Sequence, residues 1–430
     1  MELPRRAENL TEAYGVLDPN RPLDGKWLDR FYAERPEEAS ITPLAEELQI
    51  DPSEDDKTLF TGHRGSGKTT ELAQLERALE NTHTVVRFNA ERLLNLGDVD
   101  YADLLVVLGI QVFQTAQRSG VGLDQTRLQD LLFWYTTRVF EQDEQRKLES
   151  QVGGEVSAVF AKFNVKLTTD APTRQTVRAE AKANLADLIE RLNSLLEELE
   201  ERTSRRTMVI VDGLDKMYDL NQVRDLFCQG ANALMEPRCR AVYTVPLALY
   251  HTDDFQQVRM SFPRTFALPN VKTVERDGTS CPEGKDALLE VLNCRLMPGL
   301  LAPEAAERLV ARCGGLLKEL IALGRNAVLR ARRVRGERGP AQVEDVEYAA
   351  RQVRNTYRGS LTEEQYRELW RIHSGEPFVN NPVSRTLLHN LSLLEYDGGD
   401  AWWAVHPIVR PLLEERADEL AQDDDGDGER

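Results

Sequence analysis

Short apolar runs, separated by longer stretches of helical periodicity, set the plan of the chain. Residues 58–61, 84–88, 208–211, 241–245 and 265–268 are too short for helices, and they predict strands, the run 208–211 being apolar throughout. Between them, residues 69–80 place Leu72, Leu75 and Leu79 on one helical face. Residues 98–117 predict an apolar helix and 126–150 another. Residues 174–201 predict one long helix, with Leu185, Leu188, Leu192, Leu195 and Leu199 at a 3-4 spacing. Over so few turns that stripe suits packing on its own domain better than a coiled coil. Residues 154–168 alternate, Val156, Ala158 and Phe160 against Phe163, Val165 and Leu167, and predict a small hairpin. Helices alternating with short apolar strands imply an α/β fold with a parallel sheet covered on both faces.

The pattern changes on either side of this region. Residues 1–56 read as a charged helical lead-in broken by Pro19, Pro22, Pro36, Pro43 and Pro52. Residues 285–357 are helical without a strand signal. From 361 the order is a helix carrying Tyr366, Leu369 and Trp370, then a helix opening at Asn381-Pro382, then strand, turn and strand through 393–405, which together make a winged helix. The expected domains are therefore a lead-in at 1–56, a core at 57–275 with an insertion at about 100–205, a helical domain at 283–358, a winged helix at 360–418 and a disordered acidic tail at 419–430.

Composition narrows the function. A net charge of -18 argues against non-specific coating of nucleic acid, because phosphate affinity comes from Lys and Arg. The five cysteines, Cys228, Cys239, Cys281, Cys294 and Cys313, form no CxxC pair; they read as reduced and mostly buried, which suits the cytoplasm. The first 20 residues lack the apolar stretch of a signal peptide. The longest apolar run, 104–113, falls short of a membrane span, so no membrane role is expected.

The chemistry lies in the loop Gly62-His63-Arg64-Gly65-Ser66-Gly67-Lys68-Thr69, followed by Thr70, which fits the Walker A pattern after a strand and before a helix. Its glycines allow the backbone N–H groups to turn inward toward phosphate oxygens, and the helix start adds its positive end. Lys68 is expected to reach the β- and γ-phosphates, and the Thr69 hydroxyl to hold Mg²⁺. Such a loop needs a carboxylate at the end of a nearby strand. Met208-Val209-Ile210-Val211-Asp212 supplies one, with Asp212 as the Mg²⁺ residue and Asp215 as the base that orients the attacking water. The chain is thus expected to bind ATP with Mg²⁺; no guanine-selecting Asn-Lys-x-Asp box stands in the expected place.

Val-Ile-Val-Asp-Gly-Leu-Asp, residues 209–215, resembles the Walker B of NACHT-type STAND ATPases and the DxxD/DELD box of Orc/Cdc6-type AAA+ proteins. That resemblance implies an ATPase core, a helical lid and a winged helix, in the order seen here. It departs at Lys216, where the NACHT-type box continues with an acid, and in the long stretch of about 140 residues between Lys68 and Asp212. By the same resemblance Thr244 stands at the sensor-1 position. Residues 313–320, which include Gly314-Gly315, are similar to a lid motif that puts Lys318 at the sensor-2 position. Arg238, Arg240, Arg259 and Arg264 are candidate arginine fingers, and no spacing selects one.

The winged helix carries only Arg385 and His389 as basic groups on its second helix, with Asp397 and Asp400 at the wing tip, so protein packing is favoured there over DNA. The Arg325–Arg338 stretch could face nucleic acid or an acidic partner, but charge runs are more often solvated faces. The resulting expectation is an ATP-driven switch or assembly ATPase acting on a protein partner or effector, as a homo-oligomer in one version. The resemblance adds a role in bacterial regulation or antiviral defence. The alternatives are a DNA-binding initiator or loader and a nucleotide-binding scaffold without turnover.

Overall fold

The computed structural model describes residues 4–51, 53, 55–124, 165–337, 339–396 and 400–426. The chain divides into two compact units, one of Leu44–Thr61 with Leu75–Phe266, the other of Met1–Pro43, Gly62–Gln74 and Ala267–Arg430.

The first unit is built on a five-stranded sheet. Its strands are β1 (Lys57–Thr61), β2 (His83–Asn89), β3 (Arg206–Asp212), β4 (Arg240–Thr244) and β5 (Arg264–Ala267), in the order β2-β3-β4-β1-β5. The β2–β3, β3–β4 and β4–β1 ladders are parallel, so the fold is the expected α/β class. β1 and β4 are buried at every residue, which explains why these strands carry no polar alternation. The register sets Asn89 opposite Asp212 and Phe60 opposite Thr244.

The helix Tyr101–Arg118 is buried almost all round and opens with a capping box of Asp100 and Asp103, which accounts for the longest apolar run. The expected single helix at 174–201 is two, Ala171–Ala183 and Leu185–Thr203. Asn184 breaks it with φ −125° and ψ 37°, and its side chain donates to the Glu180 carbonyl at 3.0 Å, in local competition with the helix ladder. Leu188, Leu192, Leu195 and Leu199 are buried in this unit's own core. Residues 165–169 are helical rather than strand, so Val165 and Leu167 do not form the expected hairpin. Its remainder, and the helix expected at 126–150, lie outside the described residues.

The second unit has a helical core formed by Pro282–Asn293, Pro303–Arg312, Leu317–Arg335 and Val343–Ser360. The N-terminal helix Leu10–Val16 is part of it: Leu10, Ala13 and Leu17 are buried with Leu292, Leu309 and Leu320. The first helix of the expected lead-in is therefore packed into this unit's core. The winged helix comprises Glu363–His373, Pro382–His389 and the antiparallel pair β6 (Leu393–Tyr396) and β7 (Trp402–Val405), around Tyr366, Leu369, Leu387 and Leu412. A helix, Ala417–Gly426, occupies most of the stretch expected as a disordered tail; Arg416 pairs with Glu363 and Glu419 at its start, and Leu420 joins the winged-helix core. Only Cys239 and Cys313 are buried, and the other three cysteines are half-buried. Among the described residues, no helix is long and apolar enough to cross a membrane.

Candidate functional site

Two groups of residues carry the expected chemistry, one in each unit.

The phosphate loop follows β1 in the chain and ends in the helix Lys68–Leu79, which buries Leu72, Leu75 and Leu79. Gly62, Gly65 and Gly67 have φ of 148°, 90° and 101°, a region in which a side chain is strained. There is also no room for one. A Cβ at Gly62 would meet the Leu268 carbonyl oxygen at 2.6 Å, and one at Gly65 would lie 3.0 Å from Lys318 Cβ. The Lys68 ammonium is buried and donates to the Gly62 and His63 carbonyls at 2.8 and 2.9 Å. The buried Ser66 Oγ has no hydrogen-bond partner among the described residues. Left-handed glycines, a lysine drawn over the loop and an orphaned hydroxyl suit a phosphate chain. Thr69 and Thr70 sit half-buried in the first turn, and the Thr70 N–H donates to the Gly67 carbonyl at 2.9 Å. Arg64 is exposed.

Contacts from distant parts of the sequence hold this loop. The Lys318 N–H, one of the free donors at the start of Leu317–Arg335, donates to the Gly65 carbonyl at 3.0 Å. Lys318 thus reaches the loop through its backbone. His63 Nε2 accepts the Glu395 N–H at 2.7 Å, which ties the loop to β6 of the winged helix. The Glu395 carbonyl accepts from Asn270 Nδ2 at 3.1 Å, and the Tyr396 hydroxyl donates to the Gly314 carbonyl at 2.9 Å. The second helix of the winged helix ends in His389, whose ring is partly covered although the residue as a whole is exposed; that partial cover, and then Arg64, hold the imidazole below its usual range. Arg35 donates to the Ser66 carbonyl and pairs with Glu71, both side chains being almost wholly buried. The sequence reading missed Arg35, Glu71 and the partner of His63.

In the other unit, β3 ends at the buried Asp212. Asn89, its neighbour on β2, donates from Nδ2 to Asp212 Oδ2 at 3.1 Å. Gly213 turns the chain at φ 91° into a short 3₁₀ turn, Leu214–Lys216, that carries Asp215. The buried Thr244 hydroxyl accepts the Leu214 N–H at 3.0 Å and donates to the Val211 carbonyl at 3.1 Å. It therefore pins both sides of the Asp212 turn. Lys216 pairs with Glu91. Asn89 was also missed, because β2 already carries His83, Thr84 and Arg87 and its last polar residue does not stand out.

The candidate arginine fingers separate by their partners. Arg240 is buried and donates to the carbonyls of Leu48, Asp51 and Ser53. Arg264 pairs with Glu47, Asp51 and Asp56. Both are tied into their own unit, and Arg238 pairs with Glu197 on the surface. Arg259 is exposed.

Four arginines of the basic stretch are paired within their own unit. Arg325 pairs with Asp18, Arg330 and Arg335 with Asp345, and Arg332 with Glu337; Arg333 is exposed. Arg338 and Asp397 lie outside the described residues. Arg385 donates to Asn380 Oδ1 at 2.9 Å.

No family profile matches the chain, and no curated protein matches it. Solved structures do. The Walker-type ATPase PABY2304 of Pyrococcus abyssi is 16% identical over 93% of this chain and 99% of its own, with a TM-score of 0.48. Orc1 of Aeropyrum pernix, solved in complex with DNA, is 15% identical over 94% and 96%, with a TM-score of 0.43. Cdc6p of Pyrobaculum aerophilum is 11% identical over 94% and 98%, with a TM-score of 0.42.

Proposed function

We propose that the chain is an ATP-binding switch or assembly ATPase, with the loop Gly62–Thr69 as the phosphate site and a protein partner as its target. The observation that carries this is the loop itself. A complete Walker A pattern has each of its three glycines in the left-handed region and its lysine buried over the loop carbonyls. In this reading Thr69 and Asp212 hold Mg²⁺, which would neutralise charge on the phosphates, and Asp215 orients the attacking water. The loop N–H groups and Lys68 bind and orient the phosphate chain. Thr244 contributes by fixing the turn that presents Asp212 and Asp215. The joining of the two residue groups in one site rests on their sequence pattern.

The resemblance to STAND and AAA+ ATPases supports the switch reading and, within it, a regulatory or antiviral-defence role. The DNA-loader reading is weakened by the internal pairing of Arg325, Arg330, Arg332 and Arg335. Light scattering after size exclusion, with and without ATP·Mg²⁺, tests the proposal on the wild type and on Lys68→Ala. A nucleotide-dependent shift to a larger defined species, absent in the variant, is expected. If the wild type binds no ATP·Mg²⁺ in parallel titrations, the proposal fails. Steady ATP turnover that Asp215→Asn abolishes would exclude the scaffold reading.

A further inference from the structure

The segment before β1 reaches the back of the phosphate loop through a single buried arginine. Arg35 Nη1 donates to the Ser66 carbonyl at 3.0 Å, and Nη2 donates to the Pro269 carbonyl at 3.0 Å. The same guanidinium lies 3.8 Å from Glu71 Oε1, with the two side chains 3% and 1% exposed. Glu71 stands in the first turn of the helix that closes the loop. Its Oε2 accepts the Ile41 N–H at 3.0 Å, and its Oε1 accepts the Tyr32 hydroxyl at 3.4 Å. Burial pushes Glu71 upward and Arg35 downward from their usual ranges, and each charge opposes the shift of the other.

Two physical problems meet at this point. A loop that aims its N–H groups inward must turn its carbonyls outward, where a buried one still needs a donor. Ser66, just ahead of Gly67 and Lys68, has such a carbonyl, and Arg35 supplies the donor. A buried carboxylate in the first turn of a phosphate-binding helix also repels the phosphates across a poorly screened path. Arg35 is the cation beside that carboxylate.

We infer that Arg35 is a positioning residue for the phosphate loop, holding the Ser66 carbonyl outward and neutralising Glu71, so that the loop can accept a polyphosphate. The inference rests on the nucleotide-site reading of residues 62–69. It assigns the segment 32–41 a role in nucleotide affinity rather than in packing alone.

The test is titration of the full chain with ATP·Mg²⁺, alongside hydrogen exchange of the loop amides without nucleotide. Arg35→Ala should weaken ATP·Mg²⁺ binding by at least about tenfold, the scale of a lost charged hydrogen bond. It should also speed exchange at residues 62–70. Adding Glu71→Gln to Arg35→Ala should recover most of the affinity, because the uncompensated charge is gone, whereas the loop amides stay fast. Arg35→Lys keeps the charge but not the fork of two donors. It should fall between the wild type and Arg35→Ala, and it serves as the working variant if Arg35→Ala does not fold. Wild-type affinity and loop exchange in Arg35→Ala, or in Arg35→Lys if that is the variant that folds, would overturn the proposal. A double variant no tighter than Arg35→Ala would overturn its electrostatic half. If the wild type itself binds no ATP·Mg²⁺, the nucleotide reading fails separately, and the exchange rates alone decide whether Arg35 holds the loop.

Discussion

The phosphate loop and the Asp212 turn are held in place by different kinds of neighbour. The loop takes its supports from far along the chain: Arg35 on the Ser66 carbonyl, the Lys318 N–H on the Gly65 carbonyl, and His63 on the Glu395 N–H. The Asp212 turn is held by the strands beside β3, through Asn89 on β2 and Thr244 on β4. A sheet supplies such neighbours by register, since Asn89 pairs directly with Asp212. The loop has no ladder of its own and depends on a side chain and two backbone N–H groups of other elements. Its geometry should therefore be sensitive to changes in the N-terminal segment, the Gly314-Gly315 region and the wing, while the Asp212 turn should answer mainly to its two flanking strands.

The sharpest way to break this contrast is one methyl group in each region. At Gly62 an added Cβ meets the Leu268 carbonyl oxygen at 2.6 Å, and φ is 148°. Backbone cannot step aside as a side chain can. Gly62→Ala is expected to cost about 3 kcal/mol or more through strain and overpacking, and to lower ATP affinity by about a hundredfold. At Gly213 the first atom met is Asn89 Oδ1, at 3.1 Å, with φ 91°. Gly213→Ala should cost only about 1–2 kcal/mol, mostly backbone strain. Urea unfolding and ATP titration of both variants check this, and equal effects would dissolve the distinction.

The same contrast explains what was legible in the sequence. The strands were readable because buried parallel strands appear as short, mostly apolar runs, and the loop because the Walker A pattern sets residue types at fixed spacing. Asp212 was readable because its strand ends abruptly in a carboxylate. Arg35 was not, because nothing local marks an arginine in a Pro-interrupted, charged segment as buried; its partners Ser66 and Glu71 lie over thirty residues on. Arg240 and Arg264 looked like free cations for the converse reason, since the carbonyls and carboxylates that engage them belong to residues 47–56. The break at Asn184 is a single side-chain choice inside an otherwise continuous leucine stripe. Val165 and Leu167 alternate as strand residues do, but so short a stretch does not separate period 2 from a helical face.

A second, smaller effect compares buried histidines, one in each unit. Burial holds His406 down to about 3, with Arg410 and His63 adding to the shift, and its Nδ1 accepts the Ile408 N–H at 3.1 Å. Burial holds His83 down to about 4, helped by Arg240 and Arg206. Both folded values lie below the unfolded value of about 6.5. Their neutral forms therefore contribute full stability above pH 6.5, and that stability is lost as pH falls from 6.5 toward 4 for His83 and 3 for His406. Between pH 6.5 and 5 each should cost about 2 kcal/mol. Urea unfolding at pH 7.5 and 5.0 should show the loss, and His406→Asn, which keeps an acceptor without a titrating ring, should remove the share of His406. An unchanged acid loss in that variant would place the effect elsewhere.

The smallest expected effect separates two roles for Thr244. The sensor position implied by resemblance would have its hydroxyl respond to nucleotide. Yet that hydroxyl accepts the Leu214 N–H and donates to the Val211 carbonyl, and the side chain is fully buried. Thr244→Val keeps the shape and removes the hydroxyl from both hydrogen bonds, which should cost about 1 kcal/mol of stability with or without ATP·Mg²⁺. Thr244→Ser restores the hydroxyl and should recover most of it. If the hydroxyl acts by holding the turn, turnover per folded molecule should fall in Thr244→Val in step with loosened exchange at the Leu214 amide, while ATP affinity stays close to that of the wild type. A loss of ATP affinity with no change at Leu214 would instead mean that the hydroxyl leaves the turn and meets the nucleotide, and the Asp212 region would then share the dependence on outside partners that marks the phosphate loop.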